Sequence, residues 1–366
     1  MAEMRRKYCI GAMSLPGYEH IALGDRHPTN VGFIAADADI VDGLWRDVQI
    51  QPGYGHRGAE KLFEVREWRS GIMLADRHDW LSAFSGELCA TLAIEQAMRI
   101  MVPPRAAWLR TLLAETARMH SHLSFLSVLL DGEPAARLWS AVDALREAVL
   151  SWSGNRVHPM LNRVGGLAAD LPEGWALPLD DVRRVADECA DALAATSRYR
   201  GLAPLNQDAC LRYGLSGPMA HAAGLDLDRR ASGYLAYDEV YRPVQPRTDG
   251  DGHARLGVLV DELRASADMA QALLADAPNH PGDVSVRLAR RLKVPEGEHW
   301  AELDAPWGIA GCLLVSRGGP APWRLALRTP SFANLSALGN ALEGTPETQI
   351  ADAIATVGYS VGDADK

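Results

Sequence analysis

Two loop segments place charged and titratable residues where they could act on a ligand. Residues 24–32 (GDRHPTNVG) carry His27 just before a predicted strand. A single histidine in such a loop is more often a solvated or capping residue than a catalytic one. Residues 53–61 (GYGHRGAEK) lead from a turn into a helix, with Arg57 and Lys61 near the helix start. The helix dipole disfavours cations there unless an anion faces them, so a solvated surface and a binding role both stay open.

A third segment, residues 118–122 (RMHSH), contains two histidines. His120 and His122 are two positions apart, which points them to different faces of a helix and suits chelation poorly. We therefore expect core or hydrogen-bonded histidines. The sequence has no HExxH, P-loop, GxGxxG or nucleophile-elbow motif, so we expect no self-contained catalytic machinery.

The cysteines do not predict a metal centre. An iron–sulfur or nickel–iron site needs several converging thiolates, usually with at least one close pair in sequence. The five cysteines include no CxxC or CxxH pair, and we expect reduced, buried thiols and no metal bound by this chain. They are Cys9, Cys89, Cys189, Cys210 and Cys312.

Composition limits the classes of partner. The formal charge of −10 argues against nucleic acid, because a phosphate-binding surface needs excess Lys and Arg. No segment approaches the roughly 20 apolar residues of a membrane span, and the first ten residues (MAEMRRKYCI) lack the apolar core of a signal peptide. We expect a cytosolic chain whose membrane association, if any, is peripheral.

Hydrophobic periodicity predicts an α+β fold in one continuous domain, with a central bundle of long helices and β segments at the N-terminal and C-terminal ends. Strands are expected around residues 31–48, 311–315 and 323–327, and an ordered loop over 214–244. The predicted long helices cover 87–101, 105–130, 134–152, 178–198 and 254–274. We divide the chain into an N-terminal β region (1–63), a helical core (64–280) and a C-terminal mixed region (281–366).

Two segments of the sequence are unusually specific, 163–175 (RVGGLAADLPEGW) and 213–219 (YGLSGPM), and chance would not supply both in order. Together with six others they run along nearly the whole chain: 24–32, 53–61, 76–80, 92–95, 158–175, 213–219, 237–239 and 328–335. In these segments the chain resembles the D subunit of NADH–quinone oxidoreductase (respiratory complex I), a family descended from the large subunit of nickel–iron hydrogenases.

The resemblance implies a function shared with partner proteins. In the family, a quinone (ubiquinone or menaquinone) enters a cavity between this subunit and the iron–sulfur subunit that holds the terminal cluster. Electrons from NADH reach the quinone through that cluster, and its reduction is coupled to proton translocation. The implied partners are the iron–sulfur subunit, a protein resembling the C subunit and a membrane-arm subunit, at the cytoplasmic side of the cell membrane.

Three residues match family positions that face the cluster. Arg57 and Arg77 match arginines beside it, where fixed positive charge would favour the reduced, more negative state. His158 matches a histidine whose protonation is linked to cluster reduction, a role suited to a group that titrates near neutral pH.

The quinone site departs from the family pattern. The family loop reads G-P-Q-H-P-x-x-H-G; His27 keeps its first histidine, but Val31 replaces the second, which bonds one quinone carbonyl. Trp80 aligns with the tyrosine that bonds the other carbonyl, and the partner aspartate aligns with Gly132, or with Asp131 after a small shift. We expect His27, Trp80 and Asp131 to be the polar groups of the site and Val31 part of its wall.

These departures leave two interpretations open. Valine donates no hydrogen bond and Trp80 donates only through its indole N–H. Losing two contacts worth roughly 1 kcal/mol each would weaken quinone binding, whereas losing proton donors is more serious. The chain is therefore either a divergent quinone-site subunit or a structural paralogue that keeps the docking surface without quinone chemistry. Hydrogenase activity is disfavoured, because Asp79 and Ser82 stand where the ancestor's first cysteine pair would be and residues 362–366 contain no cysteine.

Overall fold

The computed structural model describes residues 5–366 and has the α+β fold expected from the sequence. The strands are β1 (Arg6–Gly11), β2 (Glu19–Ile21), β3 (Phe33–Val41), β4 (Leu44–Gln51), β5 (Asn162–Arg163), β6 (Gly166–Leu167), β7 (Gly297–Ala305), β8 (Gly308–Ser316) and β9 (Arg324–Arg328). The helices are α1 (Ala59–Glu64), α2 (Trp68–Ala75), α3 (Ala83–Met98), α4 (Pro104–Leu129), α5 (Glu133–Ser153), α6 (Leu179–Ala195), α7 (Gln207–Tyr213), α8 (Gly217–Ala222), α9 (Tyr237–Val240), α10 (Gly252–Asp276), α11 (Pro330–Leu342), α12 (Ile350–Ala355) and α13 (Val361–Ala364).

The N-terminal strands form a sheet in the order β2-β1-β3-β4. Strand β2 runs parallel to β1, and the other neighbours are antiparallel. The β3–β4 hairpin turns at Asp42 and Gly43, which both have positive φ as a type I′ turn requires. Tyr8 and Trp45 pack against each other at 4.4 Å on the buried face, and this contact joins the sheet to the core.

Helix α4 lies at the centre of the bundle, in contact with α3, α5 and α10. It has buried residues on every side, so its polar side chains are buried along with its apolar ones. Arg110, Glu115, Arg118 and His122 are all at most 1% exposed. A buried charge is tolerated only when it is paired, so each of these residues dictates what must pack beside it.

One ionic cluster joins α4 to α10, to the segment before α9 and to β7. Its charged members are Glu115, Arg118, Asp228, Arg230, Glu262 and Asp304. The Glu115 carboxylate accepts from the Tyr237 hydroxyl at 2.5 Å and from the Ser266 hydroxyl at 2.6 Å. Burial alone would raise the pKa of Glu115, but Arg230 and Arg118 hold it below its usual value. Glu115 is therefore a charged anchor for three separate parts of the chain.

A second buried pair fixes the loop at residues 163–166 (RVGG). Arg110 binds both oxygens of Glu95, at 2.8 and 2.9 Å, and also donates to the Gly166 carbonyl at 2.9 Å. The same Glu95 carboxylate accepts from the Gly165 amide at 2.7 Å. Gly166 has φ +145°, and a Cβ there would lie 2.0 Å from the Val284 carbonyl oxygen, so only glycine fits.

The C-terminal segment returns to the N-terminal loops. Strands β7, β8 and β9 form an antiparallel meander, and the chain then passes through α11 to α13. The Asp365 carboxylate accepts from the Gly53 amide at 2.7 Å and the Gly55 amide at 2.6 Å. Residues 361–366 are thereby fixed against the turn that precedes Arg57.

Periodicity locates the long helices well and the short elements poorly. The helix predicted at 105–130 is α4, and those predicted at 134–152 and 254–274 are α5 and α10. The region 214–244, expected to be a loop, contains α8 and α9, and periodicity does not predict β1, β7 or α11. All five cysteines are buried and free, as expected. None of the helices in residues 5–366 has both the length and the hydropathy of a membrane span.

The Glu95–Arg110 pair provides a stability test. Replacing Glu95→Ala leaves the buried Arg110 without its carboxylate, and we expect the free energy of unfolding to fall by about 3–5 kcal/mol. Asp181→Ala removes an exposed partner of Arg184 and should cost less than about 1 kcal/mol. Chemical denaturation of both variants measures the two losses in the free energy of unfolding. Equal losses would show that the Glu95–Arg110 pair stabilises the fold no more than an exposed ion pair does.

Candidate functional site

Arg77 and His158, both matched to cluster-facing residues of the family, lie at one surface. The His158 Nδ1 is 2.6 Å from the fully buried Asp76 carboxylate, which holds the imidazole in place. The exposed Arg77 guanidinium contacts the Met160 sulfur at 3.1 Å. Arg163, also exposed, donates to the Met160 carbonyl at 2.7 Å. A fixed positive charge and an oriented histidine therefore share one face.

Arg57 is exposed in the loop before α1. Its neighbour His56 lies 3.0 Å from the Asp365 carbonyl, so the C-terminal segment holds this loop. Lys61, the other cation of the segment, pairs with Glu64 at 2.8 Å and is 76% exposed.

His27 is a buried capping residue. Its Nδ1 accepts from the Thr29 amide at 3.2 Å and lies 2.7 Å from the Thr29 hydroxyl, which caps the 3₁₀ turn Pro28–Asn30. Its ring packs edge-on against Phe125 at 5.6 Å. Burial lowers the pKa of His27 to about 4, so the imidazole is neutral near pH 7. Its Nε2 is buried and has no hydrogen-bond partner in the described part of the chain.

His27 and Asp131 line one open groove of about 550 Å³. The Asp131 carboxylate is 89% exposed and pairs with Arg198 at 3.1 Å, so its observed partner is not His27. Gly132 has φ +76° and ψ −145°, a conformation in which an aspartate would be strained. Of the two positions that could match the family aspartate, only Asp131 carries a carboxylate, and that carboxylate faces solvent.

Val31 is 61% exposed at the end of the same 3₁₀ turn and does not line that groove. The next residue, Gly32, packs on Val361, where an added Cβ would lie 3.0 Å from a Val361 methyl. The loop therefore rests on the C-terminal segment, while Val31 presents an apolar side chain to the surface.

Trp80 lines a separate cavity between α3, α4 and α5. Its volume is about 30 Å³, which is room for a water molecule. Its polar lining includes His120 and Arg146, and the Arg146 Nε donates to His120 Nε2 at 3.0 Å. Burial and the nearby Arg146 lower the pKa of His120 to about 3. The sequence predicts His120 to be a core or hydrogen-bonded residue. It does not predict Arg146 as the partner, because the two residues are 26 positions apart.

A third group, His78, Asp79 and Asp363, lines a small cavity of about 20 Å³ with Ser82 and Thr329. His78 Nε2 lies 3.3 Å from the Asp363 carboxylate. Burial and the charge of Asp363 raise the pKa of Asp79 to about 8. Burial lowers the pKa of His78, but the hydrogen bond and charge of Asp363 outweigh it and raise it above the usual value. In residues 5–366 no group of three or more His, Cys, Asp or Glu residues is arranged to hold a metal ion.

The structure therefore distributes the predicted residues over several places. Arg77 and His158 share a face, and His27 and Asp131 share a groove. Val31 does not line that groove. Trp80 lines a cavity whose wall includes Val157 and Pro159, the neighbours of His158. His78 and Asp363 were not found from sequence, because they meet only in the folded chain.

Asp79 should make stability depend on pH. Its folded-state pKa is raised, so folding binds a proton between about pH 4 and pH 8, and the free energy of unfolding falls as pH rises through that window. Asp79→Asn cannot ionise, so its stability relative to wild type should grow from pH 5 to pH 8 by at least about 1.4 kcal/mol, the equivalent of one pKa unit. Chemical denaturation at both pH values tests this, with the exposed Asp187→Asn as control. A constant difference would mean that Asp79 is already ionised near pH 5.

Comparisons with known proteins agree with this architecture. The family model described as "Respiratory-chain NADH dehydrogenase, 49 Kd subunit" matches residues 137–292 and 284–366. The NADH-quinone oxidoreductase D 2 subunit of Salinispora tropica is 42% identical over 94% of this chain and 92% of its own length. The D subunit from Carboxydothermus hydrogenoformans is 32% identical over 94% and 98%. The C/D subunit of Cereibacter sphaeroides is 29% identical over 94% of this chain and 65% of its own length. The chain belongs to the family of the 49-kDa subunit, also called the D subunit, of NADH-quinone oxidoreductase.

Proposed function

We propose that this chain forms the quinone-reduction site of a complex I-like NADH–quinone oxidoreductase, together with the iron–sulfur subunit that carries the terminal cluster. The observation that carries the proposal is the face shared by Arg77 and His158, held by the buried Asp76. Val157 and Pro159, on either side of His158, line the Trp80 cavity. That cavity therefore reaches the residues next to this face.

The charges of this face suit one-electron transfer from a cluster in a partner subunit. Arg77 carries a permanent positive charge, which favours the reduced state of a nearby cluster. The His158 ring contacts the buried Asp76 carboxylate, which would stabilise positive charge on the imidazole. Two electrons from the cluster and two protons convert the quinone, ubiquinone or menaquinone, to the quinol. In the assembly, that reaction drives proton translocation by the membrane arm.

The proposed partners follow from the family and from one relative. The C and D subunits are named together as one protein in Cereibacter sphaeroides, which supports a neighbour resembling the C subunit for this chain. The other partners are the iron–sulfur subunit and a membrane-arm subunit at the quinone entrance. The chain would then lie at the cytoplasmic side of the cell membrane as a peripheral subunit.

A second candidate is a structural paralogue that keeps the assembly surface without quinone chemistry. Three observations favour it: Val31 offers no donor, His27 Nδ1 is engaged by Thr29, and Asp131 faces Arg198. The Salinispora tropica relative carries the number 2 in its name, which fits an organism with more than one D subunit.

Purification of the tagged chain from gently solubilised membranes distinguishes the two. We expect an iron–sulfur subunit and membrane-arm subunits to co-purify, with inhibitor-sensitive reduction of a short-chain quinone in the same sample. The assembly without quinone reduction would support the paralogue, and recovery of the chain alone would contradict both.

Reversion of the two divergent residues tests the site. Val31 is exposed, so histidine fits there, and Trp80→Tyr replaces a large ring by a smaller one. Two restored contacts of roughly 1 kcal/mol each should raise kcat/KM for quinone about tenfold or more in the double variant. Val65→His, which adds a histidine at a residue that is 75% exposed, is the matched control. No gain over this control would mean that the site differs from the family's at more than these positions.

A further inference from the structure

The segment of residues 284–294 (VSVRLARRLKV), which follows α10, presents a row of cations to solvent. Its apolar side chains are buried or half-buried, and a Cβ on Gly165 would lie 2.6 Å from a Val286 methyl. The Val286 amide donates to the Gly165 carbonyl at 2.9 Å, and the Leu167 amide donates to the Val284 carbonyl at 2.7 Å. These contacts fix the segment on the RVGG loop, with its four basic side chains exposed. They are Arg287, Arg290, Arg291 and Lys293.

This segment is continuous with the face of Arg77 and His158. Arg69, in the first turn of α2, donates to the Ala289 carbonyl at 2.7 Å, and Arg77 follows the last turn of the same helix. A helix rises 1.5 Å per residue, so the backbones of Arg69 and Arg77 are roughly 12 Å apart. Arg163 of the RVGG loop contacts the same residue as Arg77, Met160. The seven exposed cations of this surface form one cationic strip. They are Arg69, Arg77, Arg163, Arg287, Arg290, Arg291 and Lys293.

The strip has no counter-charge of its own. No carboxylate within residues 5–366 forms an ion pair with any of the seven cations, and Glu60 and Glu64 of the neighbouring α1 pair with Arg324 and Lys61 instead. The exposed carboxylates on the same segments are Glu67, Asp283 and Glu296. Like charges gathered in one region repel one another, so negative charge from outside the chain would stabilise the strip.

The surroundings of the strip favour a protein partner over nucleic acid or lipid. The formal charge of the chain is −10, so a long polyanion would meet a repelling surface beyond the strip. The apolar side chains of residues 284–294 face inward, whereas a membrane-binding surface presents several apolar side chains outward. Met73, four residues after Arg69 and so on the same face of α2, is 48% exposed. An exposed methionine among arginines is typical of protein–protein interfaces.

We propose, on the basis of the function proposed above, that the cationic strip docks an acidic segment of the iron–sulfur subunit. Carboxylates of that segment would face Arg287, Arg290, Arg291 and Lys293, and an apolar side chain would cover Met73. Because the strip continues to Arg77 and His158, this contact would set how the cluster-bearing subunit is oriented on the chain. Charges at the rim of an interface act mainly by steering and orienting the partner.

Lys293 allows the partner to be identified directly. A carbodiimide joins a lysine amine to a carboxylate that contacts it, and the linked peptides are identified by mass spectrometry. In the assembled complex we expect Lys293 to couple to an aspartate or glutamate of the iron–sulfur subunit. Lys293→Arg keeps the charge but forms no such amide and is the control, while Lys61, paired with Glu64, shows that the reagent acted. Coupling of Lys293 only to another subunit or within the chain, or no coupling while Lys61 reacts, would overturn the proposal.

Charge reversal tests the strip as a docking surface. The triple variant Arg287→Glu, Arg290→Glu, Arg291→Glu is purified as the tagged complex and washed with rising NaCl. We expect the chain to lose the iron–sulfur subunit about tenfold more readily than wild type at the same salt, because each exposed ion pair contributes a few-fold in affinity. The matched control reverses three exposed cations on other segments, Lys7→Glu, Arg200→Glu and Arg212→Glu, and should behave as wild type.

Equal loss of the iron–sulfur subunit in the two triple variants would overturn the proposal. So would release of the whole complex from membrane vesicles with that subunit retained, which would identify anionic lipid as the counter-charge. If the strip variant fails to fold, coupling of Lys293 in the wild-type complex decides the question alone.

The outcomes distinguish this inference from the proposed function. A wild-type complex that contains the iron–sulfur subunit and reduces quinone, but in which Lys293 couples elsewhere, refutes only the inference. A tagged chain that is recovered without any iron–sulfur subunit refutes the proposed function, and the inference with it.

Discussion

The burial of α4 on every side is the constraint on which the structure depends. A helix in that position can carry Arg110, Glu115 and Arg118 only if other parts of the chain bring partners to them, since an unpaired buried charge costs several kcal/mol. Those partners come from segments far apart in sequence. Glu95 and the RVGG loop satisfy Arg110, and Tyr237, Ser266 and Arg230 satisfy Glu115. Pairing with one helix thereby holds the N-terminal helices, the loop after residue 158 and α10 together.

This dependence explains which segments carry the family resemblance. Residues 92–95, 163–166 and 237–239 are among the most recognisable stretches, and each supplies a partner to α4. Their retention follows from folding alone. Val31 lies at the surface, so replacement of the family histidine at that position costs the fold little. Recognisable motifs thus establish the architecture, and quinone chemistry must be judged from the site itself.

The sequence alone predicts those features that depend on residues close together in the chain. Apolar repeats locate α4 to within one residue at each end. For His27 the sequence leaves a solvated or capping role open beside the quinone-site role that the resemblance implies, and the structure shows a capping contact. Strand β7 (GEHWAELDA) is missed because Gly, Glu, Asp and Ala, which make up most of it, have low strand propensity. The pairs at the site, His158 with Asp76 and His120 with Arg146, join residues 82 and 26 positions apart. No local pattern encodes such contacts, so only the folded chain shows them.

Trp80 separates two environments of opposite character. On one side Arg146 lacks a counter-ion and His120 is held neutral, so that cavity favours electron-rich oxygen. On the other side Asp79, His78 and Asp363 crowd buried acids together, and the raised pKa of Asp79 keeps a proton there near neutral pH. Quinone reduction needs both electrons and protons, and an acceptor beside Trp80 would meet positive charge on one flank while a proton-holding group lies one residue away.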